Sequence, residues 1–177
     1  MVPRLVRPTE TAELLKLAAH FAAPRMVKWW WEDSLRVHPS VSFALLFANP
    51  LNLVIGLQDT RTKDYLGVLV FNHVVPGWRA TMHCAVWDPK VSRRPDLLRE
   101  VGAGVFLLMG LHTVDAITSV RNRAARLALK RAGFVKRATF PGALSFDGER
   151  VDAEWWEITR GILGLPAPTA SKEVPRG

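Results

Sequence analysis

The sequence predicts a single mixed α/β domain. The chain has 177 residues, 49% of them apolar, which suits one domain with a core of its own. Stretches with the two-residue period of a strand and stretches with the 3.6-residue period of a helix follow one another along most of the chain. Their predicted order is β-α-α-β-β-β-α-β-α-β-β. We expect the domain to occupy residues 1–160 and residues 161–177, which contain Pro and Ala, to form a flexible C-terminal tail.

The N-terminal part is predicted to hold one strand and two helices. Residues 5–7 suit a short strand, and Thr9 is the expected N-cap of the first helix. The apolar residues of that helix recur at i, i+3, i+4 and i+7 until Pro24 stops it. A second helix is expected over residues 25–37, and it carries three consecutive tryptophans, 29–31. They indicate a helix wedged between two apolar surfaces or, alternatively, a contact with a partner.

The middle of the chain is typical of antiparallel strands. Strands are predicted at residues 53–58, 65–74 and 79–87. The polar turn 59–64 joins the first two, and Pro76-Gly77 turns the chain into the third.

The second half alternates helices and strands before a final hairpin. The predicted elements lie at residues 95–113 (helix), 116–120 (strand), 123–132 (helix), 139–146 and 149–160 (strands). Pro95 suits the first turn of a helix, and Gly133 suits the residue that ends one. Asp147-Gly148 is a strong signal for a two-residue hairpin turn.

The charge distribution predicts an anionic partner. The formal net charge is +8, and no acidic residue lies between Asp115 and Asp147, a stretch that carries many Lys and Arg. Such a field attracts nucleic acid, an acidic protein surface or a phosphorylated cofactor. A solvated basic helix face is the alternative, and nucleic acid is the less favoured partner because no aromatic RNA-binding signature or zinc-finger spacing accompanies the charges.

Cysteine content and hydropathy limit the possible compartment and class of the protein. The single cysteine, Cys84, excludes an internal disulfide framework and any multi-cysteine metal site, and no other metal-ligand spacing occurs. The longest apolar run, residues 101–111, is shorter than the ~18–20 residues of a membrane span. We therefore expect no membrane span and a cytoplasmic protein.

An ordered set of short motifs carries a family resemblance. Asn122 is followed by Ala125, then by Gly133-Phe134, and then by a hairpin that contains Gly148 and Asp152. This order resembles the GNAT (GCN5-related N-acetyltransferase) superfamily of acyl-coenzyme A N-acyltransferases.

The resemblance is strongest over residues 79–160 and implies an α/β fold. That fold has a mixed, mostly antiparallel sheet splayed between its fourth and fifth strands and flanked by helices on both faces. Within the superfamily, His83 and the run 122–125 are similar to small proteins encoded by tailed bacteriophages.

The resemblance also implies a binding site for acetyl-CoA inside the split. The pantetheine arm would pair with backbone near Ala85, Val86 and Trp87. The pyrophosphate would lie at the start of the helix near Pro95, where unpaired N–H groups favour anions. The side chains expected to contact the cofactor are Arg93 and Arg94 at that helix start, Asn122 beside the pantetheine arm, and Arg126 with Lys130 at the 3′-phosphate.

The chain departs from the family pattern at two places. A literal match to the glycine-containing pyrophosphate loop occurs at residues 99–104, but a helix that begins near Pro95 makes the element lengths sensible and places those glycines inside the helix. Leu129 stands where family members often carry a tyrosine acid. His83 is the candidate catalytic base, although a lone strand histidine is more often structural, and Glu32-Asp33 are equally consistent with a solvated face.

Two functions follow from the resemblance. The first is acetyl transfer from acetyl-CoA to an unknown amine by direct attack with the help of a base. The alternative is a catalytically degenerate GNAT-fold module that binds a protein partner, forms a homo-oligomer or takes part in virion assembly. The corresponding locations are the cytoplasm, which would be that of the host for a phage-encoded protein, or the virion.

Overall fold

The computed structural model describes residues 1–24, 26, 46, 47, 49–92 and 94–167. Over these residues the chain forms one sheet with the strand order β1-β2-β3-β4-β5-β7-β6. The strands are β1 Val2–Val6, β2 Leu53–Gln58, β3 Tyr65–Val75, β4 Arg79–Val86, β5 Thr113–Ser119, β6 Val135–Phe146 and β7 Glu149–Thr159. The helices are α1 Thr11–Phe21, α2 Pro89–Ser92, α3 Pro95–Met109 and α4 Arg123–Ala132. The predicted helix over residues 25–37, with its tryptophans and Glu32-Asp33, lies outside the described residues.

Helices pack on both faces of the sheet, as the predicted fold class requires. β3 is buried on both sides over its first seven residues, because successive side chains enter two different cores. One core joins α3 and α4 to one face, and the other joins α1 to the opposite face. Neighbouring strands are antiparallel except β4 and β5, which run parallel.

The start of α1 differs from the prediction. Glu10, not Thr9, is the N-cap residue, and no side chain caps the helix by a hydrogen bond. The Glu10 carboxylate instead accepts hydrogen bonds from the Arg7 backbone N–H at 2.7 Å and the Arg4 guanidinium at 2.6 Å. An ion pair between Glu10 and Arg4 of β1, six positions apart, therefore stands where the sequence suggested a Thr9 cap.

The helix expected at residues 95–113 is shorter than predicted. α3 ends at Met109 because Gly110 adopts a left-handed conformation (φ 65°), and β5 then starts at Thr113, earlier than expected. Gly102 and Gly104 lie inside α3, and a Cβ added at either would meet nothing within 4 Å. The helix start near Pro95 is confirmed, and neither glycine is needed for close packing against a neighbouring element.

The last segment packs on the domain. The predicted tail begins at residue 161, but Leu163 and Leu165 contact the α3-side core. The buried Arg160 guanidinium donates to the carbonyl oxygens of Phe106 at 3.1 Å and Leu111 at 2.9 Å, and also to that of Pro166. Residues 168–177 lie outside the described part of the chain.

Candidate active site

The sheet opens between β4 and β5. The two strands pair at only three positions, from Arg79 opposite Thr113 to Thr81 opposite Asp115. Beyond Thr81, β4 continues to Val86 without β5 beside it, while β5 pairs with β7 along its whole length. The predicted splay between strands 4 and 5 is therefore confirmed, and it leaves one edge of β4 open.

The peptide groups that line this open edge follow from the β3–β4 ladder. Trp87 donates its backbone N–H to the Leu66 carbonyl on β3 at 3.2 Å. On an antiparallel ladder every second residue turns its N–H and C=O towards the same neighbour. Ala85 thus also faces β3, whereas Val86 and Cys84 turn their peptide groups towards the split.

Of the three residues predicted to meet a ligand by backbone, Val86 has the required orientation. Ala85 instead contributes its methyl group to the α1-side core. The Trp87 indole donates from Nε1 to the Tyr65 carbonyl at 2.6 Å, and its ring stacks on His20 with centroids 4.3 Å apart. Trp87 therefore ties the end of β4 to α1.

The start of α3 carries opposite charges. Arg94 occupies the N-cap position without a side-chain cap, and its guanidinium pairs with Asp96 in the first turn at 3.0 Å. Both side chains are exposed. The hydrogen bond and charge of Arg94 hold the pKa of Asp96 below its usual value. Arg93 lies outside the described residues, so its predicted role stays a prediction.

Asn122 forms the N-cap of α4, directly after the loop that leaves β5. Its side-chain Oδ1 accepts the Ala125 backbone N–H at 3.0 Å. The Asn-x-x-Ala spacing of the sequence motif is thus a capping interaction, which fixes the helix start at the end of the split. This capping bond uses only the oxygen of the Asn122 side-chain amide, so the NH₂ group takes no part in it.

Arg126 is bound to the protein itself. Its Nε and Nη2 donate to the two Glu154 oxygens at 2.8 and 3.0 Å, and Nη1 donates to the Val120 carbonyl at 3.2 Å. All three guanidinium nitrogens are engaged, so the 3′-phosphate contact predicted for Arg126 competes with these bonds. Lys130, predicted for the same phosphate, lies one turn further along α4 and is exposed.

Glu154 is a buried carboxylate with a compensated charge. Its side chain is 3% exposed and also lies 3.5 Å from the Lys136 ammonium. Burial opposes ionisation, but the hydrogen bonds and charges of Arg126 and Lys136 outweigh it and hold the pKa below its usual value. The group is a structural anchor between α4 and β7.

His83, the predicted base, projects towards the α1 side of β4, like Ala85. Burial, helped by the nearby His73, lowers the pKa of His83 to about 4, so the imidazole is uncharged at neutral pH. Burial also raises the pKa of the neighbouring Cys84 thiol to about 12, which excludes a thiolate at that pH.

Sequence reasoning missed Asp115 as a site residue. It is half-buried on β5 where the split begins, and burial, only partly offset by a hydrogen bond from Thr81, raises its pKa above the usual value. An acid between the apolar residues Val114 and Ala116 of a strand was the available signal.

Comparison with known proteins identifies the architecture. No protein-family model and no curated protein sequence matches the chain significantly. Among solved structures, spermidine N-acetyltransferase from Vibrio cholerae in complex with CoA and spermine superimposes with a TM-score of 0.71 at 13% identity, covering 92% of this chain and 96% of that one. The ribosomal-protein-S5-alanine acetyltransferase from Vibrio fischeri gives 0.68 at 16% identity, covering 89% and 91%. The chain has the GNAT fold.

The GNAT fold was expected from the motif order and is confirmed. The likeness covers nearly the whole chain, including the N-terminal part in which only the order of elements suggested it. Among the described residues, no helix is long and apolar enough to cross a membrane. The same residues contain no group of three or more His, Cys, Asp or Glu that could hold a metal ion.

Proposed function

We propose that this GNAT-fold chain is an N-acetyltransferase that transfers the acetyl group of acetyl-CoA to an amine. The observation that carries the proposal is the split between β4 and β5, with the peptide groups of Cys84 and Val86 turned into it. Peptide groups at an open strand edge can pair with the amides of an extended ligand, as a further strand would. Among the proteins with this fold, the V. cholerae spermidine N-acetyltransferase is solved with CoA and spermine.

The residues around the split fit acetyl-CoA. Val86 and Cys84 would pair with the pantetheine arm, and the Asn122 amide NH₂ would donate to it. The N–H groups at the start of α3 and the exposed Arg94 would hold the pyrophosphate once Arg94 leaves Asp96. Lys130 suits the 3′-phosphate, while Arg126 holds α4 against β7.

Bound acetyl-CoA would supply an acetyl group activated as a thioester. The chain would orient that group at the closed end of the split, next to Thr81 and Asp115, where an amine approaches from the α1 side. The bacteriophage association and a virion location stay predictions.

Calorimetric titration of acetyl-CoA tests the proposal at the start of α3. The wild type should bind with a micromolar dissociation constant. Arg94→Glu should weaken binding at least tenfold, whereas Asp96→Asn should strengthen it, because the two changes alter the charge beside the phosphates in opposite directions. Arg7→Glu, at the far end of the sheet, is the matched charge reversal and should leave binding unchanged.

Thiol release measures turnover with amines. The probes are spermidine and a peptide with an N-terminal alanine, and an aromatic disulfide reagent detects the free CoA thiol. The chain contributes little background, because its single thiol, Cys84, is partly buried and desolvation raises its pKa to about 12. Failure of the wild type to bind acetyl-CoA would overturn the proposal and favour the non-catalytic assembly role.

A further inference from the structure

Polar side chains share one face of the sheet where the split closes. Thr81 and Asp115 are the last directly opposed residues of β4 and β5, and Asp115 also lies directly opposite Glu157 on β7. Directly opposed residues project to the same face, as do residues two apart on a strand. His83 therefore belongs to this face as well. We call Thr81, His83, Asp115 and Glu157 the closed-end cluster.

The two carboxylates of the closed-end cluster differ in their partners. Glu157 accepts hydrogen bonds from Arg137 Nε at 2.6 Å and from the Thr113 hydroxyl at 3.0 Å. Asp115 has the Thr81 hydroxyl as its hydrogen-bond donor. Within the described part of the chain it forms no ion pair shorter than 4 Å, so its negative charge is the less compensated of the two.

Polar and charged groups from three other strands act on Asp115. Burial is the main cause that raises its pKa, and the negative charge of Glu157 on β7 adds to the rise. The Thr81 hydroxyl and Arg79 on β4, together with His73 on β3, act in the opposite direction. The net effect favours proton uptake by Asp115.

The same environment makes His83 a poor base. Its pKa of about 4 gives the buried imidazole little affinity for a proton. Transfer of a proton to a catalytic base becomes easier as the pKa of that base approaches the working pH. Burial thus raises the pKa of Asp115 and lowers that of His83 on the neighbouring strand.

We propose that Asp115 accepts the proton that the acceptor amine must lose, and that Thr81 orients the carboxylate by its hydrogen bond. This inference rests on the proposed acetyltransferase function. The acceptor arrives as an ammonium ion, gives one proton to Asp115 and becomes a neutral amine. Its nitrogen forms the C–N bond with the acetyl carbon, the C–S bond breaks, and a second nitrogen-bound proton passes to the departing thiolate. Asp115 then returns its proton to water.

The surroundings of Asp115 also define the class of acceptor. Ile117, two residues along β5 on the same face, is 54% exposed. Trp155 of β7 lies directly opposite Ile117 and is partly exposed. A half-buried carboxylate beside an exposed apolar pair suits a primary ammonium group on an aromatic or aliphatic stem.

Turnover of two amines by Asp115→Asn tests the proposal. The probes are benzylamine, which is charged at neutral pH, and hydroxylamine, which is not. The variant should lose about 10²–10⁴-fold in kcat/KM with benzylamine, the usual contribution of a general base, and at most a few-fold with hydroxylamine. Asp147→Asn at the exposed hairpin tip is the matched control, because asparagine tolerates the positive φ of 54° there. Equal losses with both amines, or none, would overturn the inference.

A titration of the unliganded chain gives a readout that does not depend on turnover. The carboxyl carbon of Asp115, followed by NMR, should titrate above the usual aspartate value of 3.8. Benzylamine should lower that pKa, because a nearby cation favours the carboxylate. If benzylamine left the pKa of Asp115 unchanged, the inference would be overturned. Acetyl-CoA binding, and with it the proposed function, would remain intact. A wild type that acetylates spermidine but not benzylamine would refute the apolar-stem acceptor.

Discussion

The partly buried ion pair between Arg126 and Glu154 yields a quantitative prediction for Arg126→Ala. Removal of one partner from a fully buried ion pair costs about 3–5 kcal/mol, because the remaining charge stays buried. Here the Arg126 side chain is 39% exposed and Lys136 remains 3.5 Å from the carboxylate. Both facts reduce the loss, and we expect about 2–3 kcal/mol.

Thermal and urea unfolding at pH 7 measure this loss. A protein of this size loses about 2–4 °C in Tm per kcal/mol, so the variant should melt roughly 5–10 °C below the wild type. Arg123→Ala, an exposed residue in the first turn of the same helix, is the matched control and should change stability by less than about 0.5 kcal/mol.

The pH dependence separates the charge effect from lost packing. Without Arg126, burial raises the pKa of Glu154, and protonation at low pH removes the uncompensated charge. The difference between wild type and Arg126→Ala should therefore shrink as the pH falls from 7 towards 4. A loss equal to that of Arg123→Ala, or one that stays constant with pH, would refute the reasoning.

Three further predictions concern the packing and the titratable groups of the sheet. Gly56→Ala should destabilise the fold by about 2 kcal/mol in urea unfolding, because the added Cβ would lie 2.6 Å from Cδ1 of the buried Tyr65 ring. Gly104→Ala, whose added Cβ enters open space on α3, should stabilise the fold by about 0.5–1 kcal/mol. Equal effects of the two substitutions would refute the packing argument. Asp115 has a raised pKa, so its ionisation opposes folding; Asp115→Asn should therefore increase Tm at pH 7, and the gain should vanish below pH 3.8. His83 has a lowered pKa, so the free energy of unfolding of the wild type should fall by up to about 3 kcal/mol as the pH falls from 6.5 to 4. His83→Gln should lack this loss, and urea unfolding of both proteins at each pH measures it.

Features that depend on neighbours in the chain were predictable. The bounds predicted for β2 and α4 match the structure to the residue, because apolar runs and helical periods bounded by turn and cap residues depend on a few neighbouring residues. Gly133 and Asp147-Gly148 marked the end of α4 and the hairpin turn, and the structure places all three at positive φ. The ordered motifs also predicted the splayed sheet.

Features that depend on residues remote in the chain were not predictable from those patterns. The partner of Arg126 is 28 positions away, so no local pattern revealed that Glu154 binds its guanidinium, while its contact with a phosphate stays a prediction.

The sequence by itself determined the α/β class and most element bounds, because turns, caps and apolar periods act over a few residues. The place where the sheet splits was implied by the family resemblance of the ordered motifs. Only the tertiary structure decided which peptide groups face the split and which titratable side chains share its closed end. It brought Asp115 beside Thr81 and opposite Glu157, and it buried His83. The proton affinity of a side chain depends on burial and on charges a few ångströms away, and both arise only when distant strands come together.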